Sequence, residues 1–321
     1  MDQIKACIII PARLNSARLP KKMLLNRTGM PLVQHTYESA CQSALAQDVF
    51  IASDSYEIYQ TVGERIGYHN LIQTSESHTC GTNRVIEAVK HLKYRGLDYD
   101  IVVNVQGDTP IISGECIDSL ISTLVNSDAN IATLVTRSGY ADHYNPSCVK
   151  VVRNRYDEAM YFSRSPIPFQ MHKCEMLKHI GVYAFKCKML YEIAGHQAEI
   201  SKAEELEQLS WLYNGHKIKV ILVNGEIFGS IDTHLDYNKF VELYNDKPND
   251  YDQRIVFVKD FKICSTPIIS AGTTGITTPI QDTVDFQTDF TIKLDDGFTP
   301  NANWRCPITN LAVIDCIRRL S

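Results

Sequence analysis

CIIIPARLNSARLPKK, residues 7–22, joins a short apolar, β-branched run to a cationic loop. The apolar part, Ile4 to Ile10, predicts a strand buried on both faces, as in the middle of a parallel sheet. Pro11 is expected to stop it. The next eleven residues carry Arg13, Arg18, Lys21 and Lys22 on small or polar spacers. A cationic loop leaving a buried strand stands where open α/β sheets bind their ligands. Guanidinium forks and backbone N–H groups there suit a polyphosphate. A solvated basic turn is the plainer reading of four charges in a loop, so the later segments must decide.

Those segments keep a strand–helix rhythm. Pro31 to Ala46 places Val33, Tyr37, Ala40, Cys41, Ala44 and Leu45 on a helical stripe. Asp48–Ser53 reads as a second buried strand, followed by a helix on Ile58, Val62 and Ile66 that Gly67 closes. This alternation predicts an α/β fold, a mostly parallel sheet with flanking helices. The polar turn SESHTCGTNR (75–84) runs into a helix on Val85, Ile86, Val89 and Leu92. Gly81 and Thr82 there either offer backbone donors to a ligand, or Thr82 is an N-cap. A third strand, Asp100–Val105, ends in Gln106-Gly107-Asp108-Thr109-Pro110. Asp108 is equally a divalent-metal ligand or the acceptor of an Asx-turn or cap.

Beyond it come a helix on Ile117, Leu120, Ile121 and Leu124 and a strand at Ile131–Val135. Shorter strands follow at Val149–Val152, Ala159–Phe162 and His179–Phe185, with Arg164 among aromatics in YFSRSPIP. They suggest a lobe or dimerisation element that turns Arg164 and His179 toward the cleft. Ser201-Lys-Ala-Glu reads as a capping box opening one helix through Leu206, Leu209 and Leu212, with Glu207 and Gln208 in its middle turn. A strand at Lys217–Val223 precedes a last helix, to about Tyr244, capped by Thr233 and Asp236. Asp232 lies just ahead of that helix, where complementing its dipole is the plain reading. DKPND then signals a linker, dividing residues 1–245 from a C-terminal extension, 246–321. In the extension Ile255, Phe257, Phe261 and Ile263 alternate with polar residues, as do Phe286, Phe290, Ile292 and Leu294, so it reads as strand-rich. Its end reads as an amphipathic helix on Leu311, Ile314, Ile317 and Leu320, with Arg318 and Arg319 in the last turn.

Composition excludes several classes. Lys plus Arg is 32 against 37 for Asp plus Glu, a net charge of −5. Nucleic acid is therefore not an expected partner, and any anion site is a local concentration of charge. No apolar run reaches membrane-spanning length, and none forms a signal-peptide core. The ten cysteines lack CxxC spacing. They read as reduced residues of a cytoplasmic protein, with Cys7, Cys41 and Cys187 in the core. Without GxGxxG or GxxxxGK[ST], dinucleotide and P-loop readings lose their support. What remains is a cationic loop after the first strand, Asp108 after a central strand and Asp232 before a late helix. A polyphosphate with a metal between two carboxylates needs that inventory.

In order along the chain, PARLNSARLPKK, SHTCGTNR, NVQGDTP, YFSRSPIP, HIGVY, LEQL and GSIDT resemble the 3-deoxy-manno-octulosonate (KDO) cytidylyltransferases. The likeness runs over roughly residues 4–244, about three-quarters of the chain. It implies one α/β nucleotidyltransferase domain, usually dimeric, that makes CMP-KDO and pyrophosphate from CTP and KDO with Mg²⁺. Residue by residue, it implies triphosphate binding by Arg13, Arg18 and Lys22, and contact near the base by Gly81, Thr82 and Arg84. It implies metal binding by Asp108 and Asp232, the catalytic group being Arg13, Lys22 and these two. Gln106, Arg164, His179, Tyr183, Glu207 and Gln208 fall around the acidic sugar. Lys21 stands where the family usually has Gly, Cys80 where it has Ser, Asn83 where it has an acid, and Thr109 where it often has Glu. HIGVY and SRSPIP favour KDO over sialic acid, while an 8-amino analogue of KDO stays open. A non-catalytic nucleotide-sugar sensor is the rival from another class, and the two aspartates argue against it.

Overall fold

The structure, a computed structural model, describes residues 4–246 except Ala17, Thr79 and 224–228, and beyond them the backbone of seven short strands. Compactness divides the chain into two units, Met1–Val241 and Glu242–Ser321.

The first unit is built on β1 (Ala6–Ala12), whose seven residues are all buried. Ala6, Ile8, Ile10 and Ala12 enter one core, while Cys7 and Ile9 enter the other. A strand buried on both faces needs neighbours on both edges. β1 has them in β2 (Asp48–Ser53) and β4 (Ile101–Asn104), both parallel to it. With β3 (Leu71–Gln73), β5 (Ile131–Arg137), β8 (Leu177–Lys186) and β9 (Ile218–Leu222) the sheet runs β3-β2-β1-β4-β8-β5-β9. β6 (Lys150–Arg153) and β7 (Ala159–Ser163) join through β8, giving nine strands. Only β8 opposes both its main-path neighbours, pairing antiparallel with β4 and β5. The expected mostly parallel α/β sheet is present.

Helices α1 (Leu32–Ala40), α2 (Tyr56–Ile66) and α4 (Gly114–Val125) cover the face that receives Ile8 and Ile10. α3 (Gly81–Tyr94), α6 (Cys187–Glu192) and α8 (Gln208–Tyr213) cover the other. The chain runs outward from β1 through β2 to β3 and returns to β4 on the far side of β1. The segments leaving β1 and β4 therefore diverge from the same end of the sheet, which opens a crevice between them.

Several elements depart from the sequence expectation. β1 continues through Pro11, which pairs with Ala52 of β2. β4 pairs only as far as Ile9, so the proline's missing N–H costs no bond on that side. β3 carries no periodic signal at three residues and is held by its register with β2, Ile51 opposite Leu71. α1 ends at Ala40, because the Asp118 carboxylate accepts from Ser43 Oγ (2.5 Å), Ala44 N (3.0 Å) and Leu45 N (3.1 Å) and draws that segment into a turn. Cys41, at its C-cap, is exposed and not in the core; Cys7 is buried, Cys187 partly so, and the seven described cysteines are free.

The helix expected from Ser201 is two. α7 (Glu199–Glu204) ends at Glu205, whose φ of 51° lies in the left-handed region, and α8 begins at Gln208. Ser201 is no cap; its Oγ donates to the Ala198 carbonyl and accepts from Ser210 Oγ, both at 2.7 Å. Glu207 thus precedes α8 and is not in the middle of a helix. At α9 (His234–Asp246) the expected capping box forms: Thr233 N donates to Asp236 Oδ2 (2.8 Å) and Asp236 N to Thr233 Oγ1 (3.2 Å).

In the second unit, β10 (Gln253–Phe257), β13 (Thr274–Pro279), β14 (Asp289–Leu294), β15 (Cys306–Pro307) and β16 (Ile317–Arg319) form an antiparallel sheet. β11 (Phe261–Lys262) pairs with β12 (Ile268–Ile269). The expected helix at the end of the chain is corrected over 317–319, which pair with Ile255–Phe257. A short apolar stripe is a marginal helix alone, and a sheet edge offers its backbone partners. Ile263, Phe286, Leu311, Ile314 and Leu320 lie outside the described residues. Among the described residues no helix is long and apolar enough to cross a membrane.

Gly114 seats α4 against the α1–β2 connection: a Cβ there would lie 2.2 Å from the Gln42 carbonyl oxygen. Backbone cannot rotate away as a side chain does. Gly114→Ala should destabilise the protein by about 2 kcal/mol, the scale of overpacking. An unchanged urea midpoint would show that α4 is free to shift.

Candidate active site

The crevice holds a cleft of about 300 Å³. The segment after β1 supplies Arg13, Ser16, Arg18, Lys22 and Met23 to its walls; the entrance of α3 supplies His78, Cys80, Gly81 and Arg84. Gln106, Gly107 and Asp108 come from the end of β4, and Asp232 from the segment before α9.

Backbone and side-chain ties fix these segments. Ile231 N donates to the Asp108 carbonyl at 2.9 Å, which sets Asp232 beside the β4 loop. From α1, Thr36 Oγ1 donates to the Gly107 carbonyl (2.9 Å) and Ser39 Oγ to that of Pro110 (2.6 Å). A Cβ on Gly107 would lie 3.0 Å from the Pro11 carbonyl, so the two strand ends approach closely because this residue is glycine. Arg27 N donates to Tyr237 Oη at 2.8 Å, joining the basic segment to α9. Lys21, at φ 50°, occupies a backbone region that favours glycine. Its ammonium meets Glu57 at 2.7 Å.

Charge centres on three groups. Lys22 Nζ donates to Asp108 Oδ2 at 2.6 Å and to Asp232 Oδ1 at 3.1 Å. Arg18 reaches the same Asp232 oxygen at 3.0 Å. Burial raises the Asp232 pKa, but Lys22, then Arg18 and the Ser230 hydroxyl outweigh it and hold the carboxyl below its usual value. Asp108 Oδ1 is buried with no partner. Asp108 caps no helix, since α4 is capped by Ser113. An orphaned oxygen on one of two carboxylates that share an ammonium suits a hard divalent cation. Among the described residues no group of three or more His, Cys, Asp or Glu could hold a metal. The protein's share of such a site is two oxygens, and Mg²⁺ accepts that when phosphates and waters fill the rest.

At the other end Thr82 is inside α3, not its cap; its Oγ1 donates to Glu207 Oε1 at 2.8 Å. Burial raises the Glu207 pKa against the pull of Thr82 and Cys80, which both donate to it. Arg84 is buried, with NH1 donating to Thr74 Oγ1 and NH2 to Asp54 Oδ2, each at 2.6 Å. His78 contacts Glu87, and both it and Asp54 escaped the sequence reading. Only the pairing of a base with an acid nine or thirty residues away marks them, and no periodicity shows that. Gln106 Nε2 donates to Asn104 Oδ1 at 3.3 Å.

Thr82 and Glu207 lie outside the cleft lining, and so do the remaining expected residues, Arg164, His179, Tyr183 and Gln208. Arg164 donates from Nε to the Glu204 carbonyl (2.8 Å) and from NH1 to that of Pro146 (3.1 Å). These two bonds use Nε and one NH1 hydrogen, so NH2 and the second NH1 hydrogen remain for an end-on fork onto a carboxylate. Its own carbonyl, with those of Asn145 (3.0 Å) and Cys148 (2.7 Å), accepts from the ammonium of fully buried Lys150. Tyr183 is buried against Trp211, and Gln208 is buried with Nε2 unpartnered. His179 bonds Thr133 Oγ1 at 2.9 Å and meets Phe162 edge-on.

A cationic cleft at the switch point of a parallel sheet, closed by two carboxylates, defines a class: nucleotide-binding transferases of the α/β kind. The cytidylyltransferase family model matches residues 7–218. The KDO cytidylyltransferase of Thermodesulfovibrio yellowstonii is 41% identical over 241 residues, covering 71% of this chain and 93% of that one. That of Francisella tularensis subsp. novicida is 39% identical over 249 residues, covering 74% and 98%. A solved CMP:2-keto-3-deoxy-manno-octonic acid synthetase complexed with CTP superposes with a TM-score of 0.70 at 35% identity, covering 76% of this chain and 99% of that one. A glucose-1-phosphate thymidylyltransferase from Bacillus anthracis, 15% identical with a TM-score of 0.55, shares the fold. The chain belongs to the 3-deoxy-manno-octulosonate cytidylyltransferase family.

Burial lowers the His179 pKa from 6.5 to about 3. The folded state then binds fewer protons than the unfolded one across that window, so stability falls as pH falls from 6.5 toward 3. His179→Gln should flatten this acid limb, measured as the urea midpoint between about pH 7 and about pH 4.5. An equally steep limb in the variant would assign the acid sensitivity elsewhere.

Proposed function

We propose that this chain transfers the cytidylyl group of CTP to the anomeric hydroxyl of KDO, releasing pyrophosphate, in the cytoplasm. The observation that carries the reading is the pairing of Asp108 and Asp232 beside Arg13, Arg18 and Lys22 in one cleft. In-line attack on the α-phosphorus needs positioning and charge neutralisation more than covalent help. Arg13, Arg18 and Lys22 bind the triphosphate and stabilise the leaving pyrophosphate. Asp108 and Asp232 would hold Mg²⁺, which when bound would supply electrostatic stabilisation of the phosphate oxygens. The base lies at the α3 entrance. There the Gly81 backbone faces the cleft, while Thr82 and Arg84 brace that wall through Glu207 and Asp54. Gln106, Glu207 and Gln208 orient the acidic sugar, with His179 and Tyr183 packing that side and Arg164 meeting its carboxylate through NH1 and NH2, while Nε stays on the Glu204 carbonyl. The product, an activated octulosonate, serves lipopolysaccharide or capsule synthesis.

The test is pyrophosphate release from CTP with KDO, its 8-amino analogue and sialic acid. Either octulosonate should turn over faster than sialic acid, and the reverse order would overturn the assignment. Asp108→Asn and Asp232→Asn should each lower turnover about a hundredfold or more, the scale of losing one preorganised electrostatic group. The double variant should lose little more, because both side chains serve one site. Near-normal turnover in either single variant at limiting Mg²⁺ would remove the paired-carboxylate mechanism.

The protein is also proposed to be a homodimer. Met160 of β7 and Phe169 and Met171 of the following loop are 62%, 85% and 78% exposed, and a second copy is the occupant that would cover them. Light scattering should give twice the chain mass, and Phe169→Glu should shift it toward the monomer. A monomeric wild type ends this part of the proposal.

A further inference from the structure

The Lys22 ammonium lies in the gap between two carboxylates, in contact with both and with its side chain only 7% exposed. Among the described residues lining this cleft, no acid besides Asp108 and Asp232 is present to hold a divalent cation. Lysine and cation therefore compete for one place. Formal charge makes the competition steep. Asp108 and Asp232 carry two negative charges, and Lys22 with Arg18 carries two positive ones, so the group as it stands is neutral. A divalent ion approaching it gains little attraction. With the Lys22 ammonium withdrawn, the same oxygens regain a net negative charge, and Asp108 Oδ1 already waits without a partner.

Lys22 also has somewhere to go. It opens the short helical turn Lys22–Leu24 at the end of the cationic segment, and Arg13 and Arg18 of that segment line the same cleft. Its stem is flexible and its head is a compact charge. A triphosphate drawn in by the arginines offers that head a second set of anionic oxygens.

We propose that Lys22 is a resident counter-ion, which keeps the carboxylate pair closed to a divalent cation until nucleotide phosphates take its ammonium. Metal loading is then coupled to nucleotide binding through one side chain, and the coupling is reciprocal. The inference rests on the assignment of Asp108 and Asp232 to the metal, and adds a binding order to it. A site loaded in this order does not hold a stray divalent ion without nucleotide.

The probe is Mn²⁺ alone, without nucleotide, its free concentration followed by electron paramagnetic resonance. Wild type should bind it weakly. Lys22→Met and Lys22→Gln should each bind it about tenfold more tightly, since a contacting positive charge is gone while the more exposed Arg18 remains. Both variants should melt lower than wild type without metal, through repulsion of the unpaired carboxylates, and recover when Mn²⁺ is added. Adding Asp232→Asn to Lys22→Met should abolish the gain. Mn²⁺ affinity in both Lys22 variants equal to or below wild type overturns the counter-ion role, and so does a lowered melt that Mn²⁺ does not raise. One control separates this from failure of the underlying reading: Mn²⁺ uptake with CTP present. If Asp108→Asn takes up Mn²⁺ with CTP as wild type does, the carboxylates hold no metal and both ideas fall. If it loses that uptake while the Lys22 variants show no gain without nucleotide, only the counter-ion inference falls.

Discussion

β1 is a strand with no exposed residue, so its backbone groups must be satisfied sideways and its side chains packed above and below. That requirement places a parallel neighbour on each edge and a helical layer over each face. Because the chain reaches those two neighbours at different times, β2 first and β4 later, their trailing segments part company at one end of the sheet. The cleft is the space so produced. Its charged groups arrive from four separate segments, yet the scaffold requires only that those segments leave the sheet at the same end.

Much of this was legible because burial and periodicity leave a record in composition. The apolar run before Arg13, the stripe on Val85, Ile86, Val89 and Leu92, and the box made by Thr233 and Asp236 each carry a local signal. The structure realises each of them. The misses have a common physical source: one distant group overrules a local preference. Asp118 turns the chain where a helix would continue past Ala40. The serine at 201 looks like a cap but spends its hydroxyl on Ala198 and Ser210. Glu205 adopts a left-handed backbone that its type does not advertise. In the site, sequence could group Asp108 and Asp232 by inventory and by family resemblance, but nothing local to either shows that they meet. Their closeness depends on Ile231 bonding the Asp108 carbonyl, a contact across more than a hundred residues.

The same limit separates the two ends of the cleft. Cationic residues at one end announce themselves by type and spacing. At the other end, Thr82 and Arg84 stood out by motif, yet their side chains are occupied with Glu207, Thr74 and Asp54. They brace that wall, which is lined by His78, Cys80, Gly81 and Arg84, with Thr82 behind it.

Lys150 carries a further consequence. Its ammonium, wholly removed from water, is ringed by three carbonyl oxygens from the turn at 145–148 and from Arg164. Ringed carbonyls are how proteins commonly seat a monovalent metal, as in potassium pores. Here the occupant is covalently tethered, so it cannot be diluted away or exchanged for sodium. The protein has in effect built the cation into its own chain, and through it the turn at 145–148 and the backbone at Arg164 share one charge.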